Sequence, residues 1–413
     1  MDTQSLPLVS VITPSYNHGK YIQETIESVL KQDYPHVEHI VIDGGSTDNT
    51  FAILSQYNQL SEKFTFVSEP DRGQSHAINK GLSVARGEII GWLNSDDTYM
   101  PGAIRRAVQA LMANPHWGMV HGNGYVANER NLPVRPFPVK PQDRLKLFER
   151  CNILQPAAFV RKQVLYDVGG LDETLSFCMD YDLWIRIAKR HRIGYVPEFW
   201  AKARYHSASK SVTQWPTVGL QEVFRTSAKH YGTVSNDWVM EYLYFHHNKG
   251  VFPLLNFFRA HAVFGNAPRI TAMNRHPDMW VPPNFHVSIQ SDPQSPAHTL
   301  LIRGARQAGP SASQSAFLHY VINGSMTGTI AVNGTSFTVE FPLPPDRTNH
   351  ELDIFASWNI KLGSPAQPRV VSFLADQVLP LSYQELQFYR AYLTNPAGIA
   401  QWIRDHRRPV PRL

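Results

Sequence analysis

The sequence predicts an α/β domain built on a mostly parallel sheet with helices on both faces, then a helical connector and a separate all-β sandwich. Short apolar runs alternate with helical patterns over residues 8–93, polar loops follow the runs, and past residue 284 the helical period gives way to closely spaced short strands. At 413 residues the chain also exceeds what one hydrophobic core fills, so more than one domain is expected.

Leu8 to Thr13 reads as a strand and Tyr21 to Gln32 as a helix, with Ile22, Ile26, Val29 and Leu30 on one face. Val37 to Ile42 is the next strand, Thr50 to Asn58 a helix, Phe64 to Val67 a strand, Ser75 to Ala85 a helix and Ile89 to Leu93 a strand. Repeats of this length take right-handed crossovers, which give parallel pairing. Arg130 to Asp143 holds Pro133, Pro136, Pro138 and Pro141, the composition of a surface loop outside any ladder. A helix is expected around Tyr181 to Arg190, and the helical pattern returns from Trp215 to about Phe264. Strands are then expected at His298 to Arg303, Phe317 to Ile322, Gly328 to Val332, Ser336 to Phe341, Glu351 to Trp358 and Val370 to Leu379. Asn333-Gly334 predicts a tight hairpin, because that turn needs positive φ at both central positions; Asn323-Gly324 has the same composition. A last helix is expected over Tyr383 to Arg404. The expected divisions are 1–214 for the α/β domain, 215–283 for the connector, 284–382 for the sandwich and 383–413 for a helical tail.

Net charge is +5, and Lys and Arg are scattered instead of lining one face. Nucleic acid is therefore not an expected partner, whereas an anionic ligand or membrane surface fits. Cys151 and Cys178 are too few for a disulfide framework, which points to a reducing cytoplasm. Met1 to Leu6 is polar, without the basic-then-apolar pattern of a leader. The most apolar stretch, Gly250 to Phe264, is interrupted by Pro253, Asn256, Arg259 and His261. It suits burial in a helical core or peripheral contact with the inner membrane face, not a span.

In open α/β sheets ligands lie beyond the carboxyl ends of the strands. The loops there read Pro14-Ser15-Tyr16-Asn17, Asp43-Gly44-Gly45-Ser46-Thr47-Asp48, Glu69-Pro70-Asp71-Arg72-Gly73-Gln74 and Asn94-Ser95-Asp96-Asp97. Together they suit a nucleotide: Asp43 can accept from a base N–H or ribose hydroxyl, Arg72 can face a base or phosphate, and Gly44 and Gly45 let backbone approach a ligand. By itself Asp43 to Asp48 reads rather as a turn with helix-capping residues. Adjacent carboxylates at Asp96 and Asp97 suit Mg²⁺ or Mn²⁺, which bind through one or two carboxylates plus substrate phosphates. Asp180 lies at or near a helix N-terminus, whose dipole favours the ionised carboxylate that a general base requires. His206 is able to complete a metal shell, though a lone histidine is more often a surface or hydrogen-bonded residue.

The order Val11 to Asn17, Asp43 to Asp48, Asn94 to Asp97 and Met179-Asp180-Tyr181-Asp182-Leu183-Trp184 resembles glycosyltransferase family 2, over roughly Leu8 to Ser211. The resemblance implies a GT-A fold, a nucleotide-diphosphate-sugar donor, a glycan or lipid-linked acceptor and inversion at the anomeric carbon. It places Thr13, Pro14, Ser15, Tyr16, Asp43, Arg72, Asn94 and Ser95 at the donor nucleotide, and Asp96 with His206 on Mn²⁺ or Mg²⁺. Asp97 falls behind the metal or phosphate, Asp180 is the base, and Gln155 and Trp184 border the acceptor, Trp184 being equally suited to core packing. This sequence departs from the pattern at Asn94, where the first carboxylate of the DxD motif stands, and at Met179, where an acidic residue is frequent. Neither membrane helices nor the Gln-x-x-Arg-Trp motif of processive relatives occurs, which favours single-sugar transfer, by analogy in polysaccharide or glycolipid assembly. The rival readings are a carbohydrate-binding protein with an inactive domain and a sugar nucleotidyltransferase. The sandwich holds no acid-base constellation and is expected to be an accessory that holds a glycan, a partner chain or a second protomer, or that buttresses the first domain.

Overall fold

The computed structural model describes residues 6–307, 316–362 and 368–411. The polar start at Met1 to Ser5 and the end of the expected tail, Arg412 and Leu413, lie outside them. The chain divides into two compact units, the first running to Tyr242 and the second from Leu243 to Val410. The boundary expected at 214 therefore moves, and the start of the expected connector belongs to the α/β unit.

That unit runs β1 (Val9–Ser15), α1 (Ile22–Leu30), β2 (Val37–Asp43), α2 (Thr50–Leu60), β3 (Phe64–Ser68), α3 (Gln74–Val84), β4 (Ile89–Trp92), β5 (Thr98–Tyr99), α4 (Ala103–Ala113), β6 (Trp117–Ala127) and β7 (Pro133–Pro136). It continues with α5 (Arg144–Glu149), β8 (Ala158–Arg161), α6 (Lys162–Asp167), α7 (Met179–Ala188), β9 (Arg192–Arg204), α8 (Lys210–Thr213), α9 (Leu220–Tyr231) and α10 (Asn236–His246), which crosses the boundary. The sheet has the order β3-β2-β1-β4-β8-β6-β9-β5, with β7 beside β6. It is parallel from β3 to β4 and mixed beyond, since β8 enters antiparallel while β6 and β9 run alike.

Alternation along the strands sorts the helices to the two faces. Val41 joins Ile22 and Ile26 of α1, Leu54 of α2 and Phe64 in one apolar cluster. On the opposite face α3 lies so close that a Cβ on Gly81 would meet Ile12 Cγ2 at 2.4 Å. The expected proline-rich loop is corrected in part: Pro133–Pro136 pairs with β6 as an exposed edge strand, where a missing N–H is tolerated.

The second unit comprises α11 (Val251–Ala260), β10 (Arg269–Met273), β11 (Asn284–Gln290), β12 (Ala297–Ala305), β13 (Ala316–Ile322), β14 (Met326–Val332), β15 (Ser336–Pro342), β16 (Asn349–Ala356), β17 (Ile360–Leu362), β18 (Arg369–Val371), β19 (Leu374–Ser382), α12 (Tyr383–Thr394) and α13 (Ile399–His406). Sheets of order β10-β11-β16-β13-β14 and β15-β12-β19 share one apolar core, in which Phe285 and Leu352 of the first cluster with Leu300 and Phe341 of the second. This is the expected sandwich, starting earlier, at β10. The hairpin prediction is corrected: β14 and β15 lie in different sheets, so Asn333-Gly334 carries the chain across, while the paired hairpin is β13–β14 at Asn323-Gly324, with φ of 53° and 70°. The last helix breaks at Asn395-Pro396, because the residue before proline is driven out of the helical region. In α11, Phe252, Leu255 and Phe258 are buried, and Phe258 stacks edge-on to Phe388 of α12 at 5.5 Å, the core reading of that apolar stretch. No helix among the described residues is long and apolar enough to cross a membrane.

Candidate active site

Parallel, in-register pairing puts Ser15, Asp43 and Ser68 in one row at the carboxyl edge of the sheet. Asp43 is fully buried and ties its own loop. Ser46 N donates to Oδ2 at 2.9 Å, Ser68 Oγ to Oδ2 at 2.7 Å and Ser46 Oγ to Oδ1 at 2.5 Å. A carboxylate offers about four lone-pair positions, so acceptor capacity remains on Oδ1. Gly45 takes φ +81°, the left-handed turn that glycine favours. Asn17 staples the first two loops, donating its N–H to Ser46 Oγ at 2.7 Å and accepting from Thr47 N at 2.8 Å. Tyr16 beside them is 61% exposed. Thr13, Pro14 and Ser15 form the floor instead: Thr13 shares a 2.9 Å hydrogen bond with His39, Pro14 pairs with Ile42 in the sheet, and the buried Ser15 hydroxyl has no partner among the described residues. Arg72 is exposed and paired with Glu173 at 2.6 Å.

The loop after β4 is held from every side. Asn94 Oδ1 accepts from Trp92 Nε1 and from Gln74 Nε2, both at 2.8 Å. An indole only donates, so the amide orientation is fixed, and Nδ2 donates to Gln155 Oε1 at 3.1 Å and toward Asp97 Oδ2 at 3.3 Å. Gln155 in turn donates to the Trp92 carbonyl at 2.7 Å, so both of its amide atoms brace this loop. Ser95 is buried and shares a 2.6 Å hydrogen bond with His18. Asp97 Oδ1 accepts the Arg204 amide at 2.9 Å, which clips the end of β9 onto the loop. Burial, and then the neighbouring Asp96 charge, push the Asp97 carboxyl well above the usual carboxylate range.

Two residues past the clip, His206 Nε2 lies 3.1 Å from Asp96 Oδ2. Its Nδ1 is buried without a partner among the described residues, and its ring rests on Tyr21 at 4.5 Å. Asp96 and His206 thus meet. No group of three or more His, Cys, Asp or Glu residues among those described is arranged to hold a metal.

Asp180 stands in the first turn of α7, whose N-cap is Cys178. Its Oδ1 accepts the Tyr181 amide at 2.8 Å. Burial raises its carboxyl from 3.8 to about 6, outweighing the backbone bonds that oppose the shift. Trp184, one turn on, is 1% exposed and packs in the core, out of reach of an acceptor. The sequence did not single out Gln74 or Lys210. Lys210 Nζ donates to Gln74 Oε1 at 3.2 Å and to the Ser176 carbonyl at 2.9 Å, so a hydrogen-bonded chain runs from Asn94 to the segment before α7.

The family model described as glycosyl transferase family 2 matches residues 10–169, which include the loops after β1, β2, β3 and β4, Asp96 and Gln155 but stop short of Asp180 and His206. An uncharacterized glycosyltransferase of Rickettsia typhi is 30% identical over 221 residues, covering 50% of this chain and 67% of that protein. Chondroitin synthase of Escherichia coli is 29% identical over 187 residues, covering 45% of this chain but 27% of the synthase. Among solved structures, TarS of S. aureus in complex with UDP-GlcNAc is 22% identical, with a TM-score of 0.45, over 62% of this chain and 73% of that one. The Rickettsia relative is covered over two thirds of its length, and the chain belongs to glycosyl transferase family 2.

Proposed function

We propose that this chain is an inverting, divalent-cation-dependent, non-processive glycosyltransferase that moves a sugar from a nucleotide-diphosphate donor to the hydroxyl of a glycan or lipid-linked acceptor. The observation that carries the reading is the meeting of Asp96 and His206, 110 positions apart in the chain, beside the edge that holds Asp43. One carboxylate oxygen and one imidazole nitrogen fit Mn²⁺ or Mg²⁺, ions that take their remaining ligands from diphosphate and water, and the nitrogen favours Mn²⁺. Such an ion, when bound, neutralises charge on the leaving diphosphate. Asp43, Tyr16 and Arg72 hold the nucleotide above the floor of Thr13, Pro14 and Ser15, while Asn94, Ser95 and Asp97 fix the loop that presents Asp96.

Asp180 accepts the proton of the acceptor hydroxyl as that oxygen attacks the anomeric carbon from the face opposite the diphosphate, and one displacement inverts the centre. A carboxyl that titrates near 6 is ionised at neutral pH, yet is a stronger base than an ordinary aspartate. Gln155 keeps its bracing position, and the sandwich serves as an accessory to acceptor handling. The test is a thermal-shift screen of nucleotide sugars with Mn²⁺, followed by product analysis with the stabilising donor. Release of nucleoside diphosphate with an inverted product supports glycosyl transfer; pyrophosphate, or turnover unchanged after exhaustive chelation, overturns the reading.

A further inference from the structure

The segment leading into α7 is held by a residue that lies outside both the family match and the expected domain boundary. The N-cap Cys178 makes no side-chain cap. The amides of Ser176, Phe177 and Cys178 instead all donate to one carboxylate, that of Glu222 in α9. Ser176 N and Ser176 Oγ reach Oε1 at 2.9 Å each, Phe177 N reaches Oε2 at 2.8 Å and Cys178 N reaches Oε2 at 2.9 Å. Glu222 is 6% exposed, and these four donors fill the roughly four lone-pair positions that a carboxylate has. A buried charge is costly unless its hydrogen bonds are complete, so this arrangement is a built one. The same bonds hold the Glu222 carboxyl below the usual range although burial opposes them.

A second contact from α9 lies on the other side of Asp180. His230 Nε2 meets the fully buried Asp182 Oδ1 at 2.7 Å, and Arg186 bonds the second oxygen of Asp182 at 2.7 Å. The turn carrying Asp180 is therefore gripped two residues before and two residues after it, both times from α9. Successive N–H groups converging on an anion make a stiff nest, and a base is effective only while held within reach of its proton.

We infer that Glu222 is a positioning residue for the reaction, fixing the 176–178 segment and so the place and burial of the Asp180 carboxylate. The inference rests on the reading of Asp180 as the base. Glu222→Gln keeps the size but turns an N–H donor toward backbone amides, so the segment loosens and more water reaches the half-buried Asp180. Ser176→Ala removes one of the four bonds and leaves the backbone ones.

The experiment uses the full chain. Asp180 is followed by pH titration of ¹³C-labelled aspartate carboxyls, assigned with Asp180→Asn, and nucleoside diphosphate release is measured from a panel of UDP- and GDP-hexoses with Mn²⁺. Glu222→Gln is expected to move the Asp180 titration down toward the ordinary range and to lower kcat by about tenfold or more, with donor KM within about threefold. Ser176→Ala is expected to shift both in the same direction by less, with an unchanged melting midpoint, so the inference stands testable even where Glu222→Gln folds poorly. An unmoved Asp180 titration with wild-type kcat in folded Ser176→Ala and Glu222→Gln overturns it, as does a loss of kcat and donor affinity together in proportion to the unfolded fraction. If Asp180→Asn itself releases product at the wild-type rate, the base assignment falls instead. If Asp180→Asn is inactive and Glu222→Gln is unimpaired, the positioning inference falls alone.

Discussion

Replacing Asp180 by asparagine should make the protein more stable and inactive at once. The carboxyl titrates at about 6 in the folded chain against an ordinary value of 3.8. That difference of about two units, at ~1.36 kcal/mol each, means that ionising Asp180 costs the folded state up to ~3 kcal/mol at pH 7. The sign follows from the raised folded value: the cost is absent below about pH 4, where both states are protonated, grows between about 4 and 6, and is constant above. Asparagine is uncharged and keeps an oxygen to accept the Tyr181 amide, so the variant escapes the cost. In a unit of this size it should melt up to roughly 6–10 °C higher than wild type at pH 7.5, with the gap reduced to about a third at pH 4.5. Thermal unfolding of both proteins at the two pH values reads this directly. Transfer should be abolished while donor binding stays within a few-fold. A melting difference independent of pH, or a wild type that is the more stable at pH 7.5, would refute the argument that burial is what raises this carboxyl.

In the wild type, kcat/KM should fall about tenfold per pH unit below roughly 6, as Asp180 protonates; a profile flat to pH 5 counts against it as the base. Asp96→Ala should weaken Mn²⁺ and donor binding together in calorimetry, because the cation joins carboxylate to diphosphate; donor affinity that survives both the substitution and EDTA removes the ion from the mechanism. Asn94→Asp, although it restores the first carboxylate of the motif, should destabilise by ~1–3 kcal/mol, since it sets an acceptor against Gln155 Oε1 and adds a second carboxyl group beside that of Asp97. Unchanged unfolding with tighter Mn²⁺ binding would show that the amide's bracing role is wrong.

The N-terminal half of the fold was legible because each element from β1 to β4 announces itself locally, by an apolar strand or an amphipathic helix of ordinary length. β6 and β9 were not: the run His121-Gly122-Asn123-Gly124 and the charged, proline-containing run Arg192 to Arg204 lack strand periodicity, and only mutual pairing makes them strands. The site divides the same way. Asp43, Asp96, Asp180 and His206 stand in recognisable local patterns, whereas Gln74 and Lys210 meet across 136 positions and leave no trace in either neighbourhood. Asp180 also shows why a charge state is harder to read than a residue. A helix N-terminus argues for an ordinary carboxylate, and the burial that outweighs it belongs to the surroundings. Asn94 reads as a lost metal contact until its neighbours show four hydrogen bonds, two of which, donated by Nδ2 to Gln155 and Asp97, a carboxylate is unable to make.

The clip between Asp97 and the Arg204 amide closes a span of 107 positions. Contacts of such long range form late, because the entropy of closing the loop is lost before the contact returns anything. A chain still growing on the ribosome holds the Asp43 and Asp96 loops long before β9 arrives to deliver His206. On the proposed function, donor and cation need both sides and have nothing complete to bind until that closure. Their effect on the lifetime of the protein should therefore fall on the rate at which it unfolds, with the rate of folding left nearly untouched.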